Sequence, residues 1–118
     1  MKYPTLPVDL LDDGRIEPGD YPDWPSACWT IKRHPDDREI LDDLLVSIPE
    51  EGVLEPLTIG VWRRTLTLYL SDGHHRAVAL MELGIKTFPY EWAWKSRDEP
   101  LRFETGPLPE WILEGVSA

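Results

Sequence analysis

Asp72, Gly73, His74, His75 and Arg76 place a carboxylate, two imidazoles and a guanidinium within five consecutive residues. Gly73 lets the chain turn tightly and lets a ligand come close to the backbone. Arg76 offers a planar fork of donors that matches phosphate or carboxylate oxygens. These types in this order point to an anion seat, with phosphate as the anion. The plainer alternative is that Asp72 caps a helix, the imidazoles are solvated and Arg76 pairs with a nearby acid.

The flanking segments give the turn its geometry. From Thr65 to Leu70, leucines alternate with Thr65, Thr67 and Tyr69, the period of a half-buried strand. After Gly73 the run A-V-A-L-M-E-L is apolar on nearly every side except at Glu82, as in a short buried helix. Gly84 is its stop. A strand passing directly into such a helix leaves the first N–H groups unpartnered at the positive end of the helix dipole. One helix end contributes about 0.3–1 kcal/mol, whereas micromolar binding needs about 8 kcal/mol. Other parts of the chain must complete any ligand site.

Composition narrows the field. The chain has 118 residues, enough for one core, and 22 acids against 12 bases give a net charge of −10. Such a surface repels nucleic acid and acidic membranes outside local patches, and suits docking to a basic protein partner. The single Cys28 allows no internal disulfide. With no signal-like or membrane-spanning apolar run, the expected location is cytoplasmic.

In chain order, residues 1–26 read as a proline- and aspartate-rich arm. Within it, Val8, Leu10 and Leu11 form a short strand before the turn Asp12-Asp13-Gly14, and Tyr21 and Trp24 pack it down. Cys28 to Lys32 reads as the first core strand, ended by His34-Pro35. A helix then starts at Asp36 or Asp37, with Asp36 and Glu39 spaced as a capping box. Its apolar stripe is Ile40, Leu41, Leu44, Leu45 and Ile48, and it closes at Pro49 to Gly52. Leu57 to Trp62 is the second strand, and Arg63-Arg64 turn into the central one. That pair reads as a solvated hairpin tip, with a phosphate contact as the alternative. Ile85 to Trp94 is the last core strand; Phe88, Tyr90, Trp92 and Trp94 share a face, and Pro89 argues for a sheet edge. Residues 95–118 are an extension, polar at first and then a short helix from Leu108 anchored by Trp111 and Ile112.

S-D-G-H-H-R-A-V-A-L-M-E-L-G, with P-E-E-G-V-L-E-P-L-T-I-G-V upstream, resembles the ParB/sulfiredoxin fold over residues 27–94. The resemblance implies an α+β domain: a small mixed β-sheet with two core helices, flanked here by the N-terminal arm and a short C-terminal helix. ParB proteins carry G-E-R-R-x-R-A at this turn and hold nucleotide phosphates with it; Gly73, Arg76 and Ala79 match, while His74, His75 and Val78 depart. Sulfiredoxins carry G-C-H-R; Gly73, His75 and Arg76 match, but His74 stands where the catalytic cysteine would be. The D-G-H-H-R of free-serine kinases is matched by Asp72 through Arg76. In those kinases a catalytic acid follows the first strand after a K-P-H-like segment, and Lys32 to Asp37 is similar. The resemblance therefore implies phosphate contacts from Gly73, His74, His75 and Arg76, with Asp36, Asp37 and Asp72 as candidate catalytic carboxylates.

A resident metal is not expected. His74 and His75 are helix neighbours that diverge by about 100°, and zinc ligands on one helix need to share a face. Magnesium carried by a nucleoside triphosphate needs one protein carboxylate, for which Asp72 is placed. The expected function is nucleotide or phosphate binding, extending to phosphotransfer or nucleotide hydrolysis. Two alternatives stand beside it: an acidic binding module that imitates DNA toward a basic partner, and a ParB-like nuclease, which the charge balance disfavours. The small size suits a phage or mobile-element accessory protein.

Overall fold

In a computed structural model, residues 3–117 are described. The elements are β1 (Thr5–Pro7), α1 (Asp9–Asp12), β2 (Ile16–Pro18), α2 (Trp24–Arg33), α3 (Pro35–Glu51), β3 (Leu57–Trp62), β4 (Leu68–Asp72), α4 (His74–Leu83), β5 (Thr87–Lys95), β6 (Arg102–Glu104) and α5 (Glu110–Ser117). The strands form one mixed sheet in the order β1-β5-β3-β4-β2, with β6 pairing β5 on the flank that β1 also uses. β3 and β4 make an antiparallel hairpin, and β5 lies parallel to β3 on its other side. This is the mixed α+β architecture expected.

Alternation assigns the two faces of the sheet. Leu57, Ile59 and Val61 of β3, Leu68 and Leu70 of β4, and Phe88, Tyr90 and Trp92 of β5 enter one buried cluster with Ala77, Val78, Ala79 and Leu80 of α4. Leu41 and Ile48 of α3 join it, with Leu44 and Leu45 half-buried beside them, while Ile40 at the margin of the stripe is exposed. The other face presents Gly60, Trp62, Tyr69, Ala93 and Phe103, none of which belongs to the cluster. Gly60 is required there: a Cβ would sit 2.2 Å from the Tyr69 ring.

Several expectations are corrected. Cys28 to Lys32 is helical, inside α2. Trp24, Ala27 and Ile31 are its buried stripe, Asp23 accepts the Ser26 N–H at 2.8 Å as N-cap, and Pro25 occupies the first turn, where it has no N–H to waste. Three helices therefore pack on the sheet where two were expected, since α2 lies against both α3 and α4. In the arm, Thr5–Pro7 is the strand, whereas Val8, Leu10 and Leu11 belong to a helical turn around α1. α3 begins at Pro35 with His34 as N-cap, so the Asp36–Glu39 box does not form, and the helix runs past Pro49 to Glu51.

The hairpin and the C-terminal part also differ. β4 starts only at Leu68, because Leu66 adopts a left-handed conformation (φ 61°) in the turn. β5 as a whole is an interior strand, with β3 on one side and β1, then β6, on the other, but Pro89 itself pairs only with Thr5 and precedes the β3 ladder, which begins at Tyr90. The polar stretch after Lys95 contains β6. In the last helix Ile112 is buried with Leu108, but Trp111 is 57% exposed. Among the described residues, no helix is long and apolar enough to cross a membrane.

Candidate functional site

α4 starts where β4 ends, and its first turn is open. Gly73 is the N-cap, with φ 108° in the left-handed region, and among the described residues no side chain caps the helix. Asp72, the alternative cap, instead turns outward: its carboxylate is largely exposed and lies 3.7 Å from Arg76 Nη2. Pairing along β3 jumps from Thr58–Asp72 to Ile59–Leu70, so Ser71 bulges β4 immediately before the turn. A hollow of about 350 Å³ fronts the helix end, bounded by Asp72 to Arg76 on one side and by Asp20, Tyr21, Ile40 and Leu44 on the other.

Arg76 spans the hollow's wall. Its Nη1 donates to the Glu55 carbonyl at 2.8 Å and the Pro56 carbonyl at 3.1 Å. It thereby staples the segment leading into β3 onto α4, leaving Nη2 toward Asp72 and the hollow. Gly73 is wedged between the two: a Cβ on it would meet Leu57 Cγ at 2.9 Å and Arg76 Nη2 at 3.3 Å.

His75 is held across the helix pair. Its Nε2 lies 2.8 Å from Asp37 Oδ1, and the other oxygen of Asp37 is 3.7 Å from His34 Nδ1. Asp37 is thus brought to the site through His75. Asp36, one residue earlier, is exposed on the outer side of the same turn and does not line the hollow.

His74 points inward. It is 6% exposed, edge-on to Tyr21 (centroids 5.5 Å) and tilted against Trp24 (6.1 Å). Burial holds its pKa below the ordinary value, with the Asp20 charge opposing. Its Nε2 accepts the Asp20 backbone N–H at 3.3 Å, which suits the neutral ring. The Asp20 carboxylate at 3.6 Å from Nδ1 is then no ion pair. His74 therefore ties the arm to α4, and His75 is the more exposed of the two rings at the hollow.

Asp20, Tyr21, Ile40 and Leu44 were not singled out from the sequence as site residues. Only Tyr21, an aromatic amid prolines, carried a signal, and it read as packing. Burial raises the Tyr21 phenol pKa, and the Asp37 and Asp20 charges add to this. Among the described residues, Arg76 is the one Lys or Arg lining the hollow, with Asp20 and Asp72 exposed. Among the described residues, no three His, Cys, Asp or Glu side chains gather as a metal site.

No family model matches the chain, and no curated protein sequence is significantly similar to it. Solved structures do share its fold. Sulfiredoxin from Arabidopsis thaliana superposes with a TM-score of 0.54 at 18% identity, over 83% of this chain and 91% of that one. The C-terminally truncated chromosome-partitioning protein ParB from Caulobacter crescentus, solved complexed with CTP-γ-S, gives 0.51 at 23% identity, over 98% of this chain and 51% of that one.

Proposed function

We propose that this chain, a domain of ParB/sulfiredoxin-like fold, binds the phosphates of a nucleotide at the open end of α4 and acts on them as a phosphotransferase or nucleotide hydrolase. The observation that carries the reading is the convergence of an uncapped helix start, the Arg76 Nη2 and an Asp37-oriented His75 on one hollow. Phosphate oxygens would take the free N–H groups of residues 74–76, and Gly73 would let them approach. Solution of the ParB relative with a CTP analogue supports a nucleotide as the ligand class.

The Asp37 carboxylate fixes which His75 nitrogen carries a proton. With Nε2–H donated to Asp37, Nδ1 keeps a lone pair that can accept the proton of a substrate hydroxyl or water. The hydroxyl would attack phosphorus as the bond to the leaving phosphate oxygen breaks. His74, which the motif resemblance sets at the place of the sulfiredoxin cysteine, is a buried ring and not a thiol, and this weighs against sulfiredoxin chemistry.

Two exposed carboxylates at the mouth repel a bare polyphosphate. Magnesium carried by the nucleotide would need one protein carboxylate, for which Asp72 is available, and would neutralise phosphate charge. The test is thermal melting with ATP, ADP, CTP and GTP, each with and without magnesium. A ligand at a hundred times its dissociation constant stabilises by about 2.7 kcal/mol, several degrees in a domain of this size. No shift with any nucleotide ends the proposal.

A further inference from the structure

At the far end of β4 from Gly73, a second hollow of about 930 Å³ lies under the β3–β4 turn. Trp62, Arg63, Arg64, Lys95 and Arg97 bound it, with Glu17 as its one acid. Four of the chain's 12 basic residues thus meet on a protein of net charge −10. Among the described residues, every salt bridge lies elsewhere, so these four have no carboxylate within 4 Å. Like charges gathered in this way repel one another, and 22 acids were available in the sequence to relieve them.

Two of the four are fixed in place. Arg63 lies over the Trp94 ring at 5.1 Å, and its backbone N–H donates to the Lys95 carbonyl at 3.0 Å. Lys95 donates its ammonium to the Glu99 carbonyl at 2.8 Å. The turn itself is pinned, with the Leu66 N–H donated to the Trp62 carbonyl at 2.7 Å. Arg64 and Arg97 both line the hollow and are exposed, and among the described residues no carboxylate pairs with either guanidinium.

An aromatic surface adjoins the charges. Trp62 is 39% exposed and lies against Tyr69 (centroids 5.6 Å, planes 33° apart). Register pairs Trp62 with Lys95 and Gly60 with both Tyr69 and Ala93, and the missing Cβ of Gly60 leaves room for the Tyr69 ring to lie close over the strand beside Trp62. A flat ring can stack on such an indole, and a phosphate on the same molecule would reach the arginine forks.

We propose that this hollow is a second ligand site, for a nucleotide unit whose base stacks on Trp62 and whose phosphate is held by Arg64 and Arg97. The unit can come from a free mononucleotide or from single-stranded nucleic acid. The acidic remainder of the surface repels a long polyanion and favours the free molecule. No carboxylate-bridging cation is needed here, which separates this site chemically from the start of α4.

The test is isothermal titration of the full chain in EDTA with AMP and, separately, with the oligonucleotide (dT)8. The proteins are wild type, the Arg64→Ala/Arg97→Ala double variant, Trp62→Ala and His75→Ala. Both arginines are exposed, so the double variant should melt as wild type does. The expected result is saturable binding that weakens by at least roughly tenfold in the double variant, the loss of two guanidinium–phosphate contacts. Binding should also weaken with Trp62→Ala and as salt is raised, and be unchanged in His75→Ala. Tighter AMP than (dT)8 per site marks the free nucleotide, and the reverse marks a strand; either supports the site. No wild-type binding of either probe overturns it, as does a double variant that binds like wild type.

Discussion

Asp37 Oδ1 and His75 Nε2 stand 2.8 Å apart, joining the first turn of α3 to the first turn of α4. The carboxylate does not line the hollow but bonds a ring that does, and under the proposed function it would favour the tautomer with the proton on Nε2. Asp37→Asn keeps a hydrogen-bonding group but removes the charge that stabilises a protonated ring. Phosphate release from a bound nucleoside triphosphate should then fall by roughly 10²-fold, with the dissociation constant changed less. Equal losses in rate and affinity would instead make Asp37 a binding residue.

Arg76 has a structural duty that can be measured without any ligand. Its Nη1 holds the Glu55 and Pro56 carbonyls together, and a lysine ammonium at that reach cannot bridge both while also facing Asp72. Arg76→Lys should cost roughly 1–2 kcal/mol and several degrees of melting temperature. A variant that melts with wild type would show the staple to be idle and leave Arg76 available in full to a phosphate.

The parts of the fold with one clean period were legible. β3 was readable to the residue, and α4 followed from its apolar run and Gly84, which is indeed left-handed at φ 68°. α2 was missed because Trp24, Ala27 and Ile31 keep helical spacing only if the helix starts among prolines. The Asp23-Trp24-Pro25-Ser26 cap that permits this was overlooked beside the strand-like Cys28 to Lys32.

The candidate site was half legible for a different reason. Asp72 to Arg76 announce themselves by type and adjacency. The Asp37–His75 contact spans 38 residues and depends on how two helices pack, and the Arg76 partners are backbone carbonyls with no residue signature. Asp20 and Tyr21 reach the hollow only because β2 docks beside β4, carrying the following loop to the start of α4.

Gly73 is the one position in the turn where a methyl group should be intolerable. Its φ of 108° is costly for any residue with a Cβ, and that Cβ would lie 2.9 Å from Leu57 Cγ. The left-handed geometry alone costs about 1–2 kcal/mol. Gly73→Ala should therefore lower the unfolding free energy by more than the Arg76→Lys change, read as a shift in urea midpoint. A neutral substitution would mean that the turn can relax to negative φ, and the close approach proposed for phosphate would lose its basis.

His74 makes folding sensitive to mild acid. Its ring is buried, and its pKa lies below the ordinary 6.5, so the unfolded chain binds the proton more readily than the folded one. The neutral ring's contribution is complete above about pH 6.5 and is lost as pH falls through the depressed folded value. The nearby Asp20 and Asp72 charges soften the loss, while His75 adds to it. Melting temperature should fall between pH 7 and 5 in the wild type. His74→Gln retains an acceptor for the Asp20 N–H without a group that titrates in this range. Its melting curve should be lower at pH 7 and flatter toward pH 5. Parallel curves for the two proteins would place the acid sensitivity at another group.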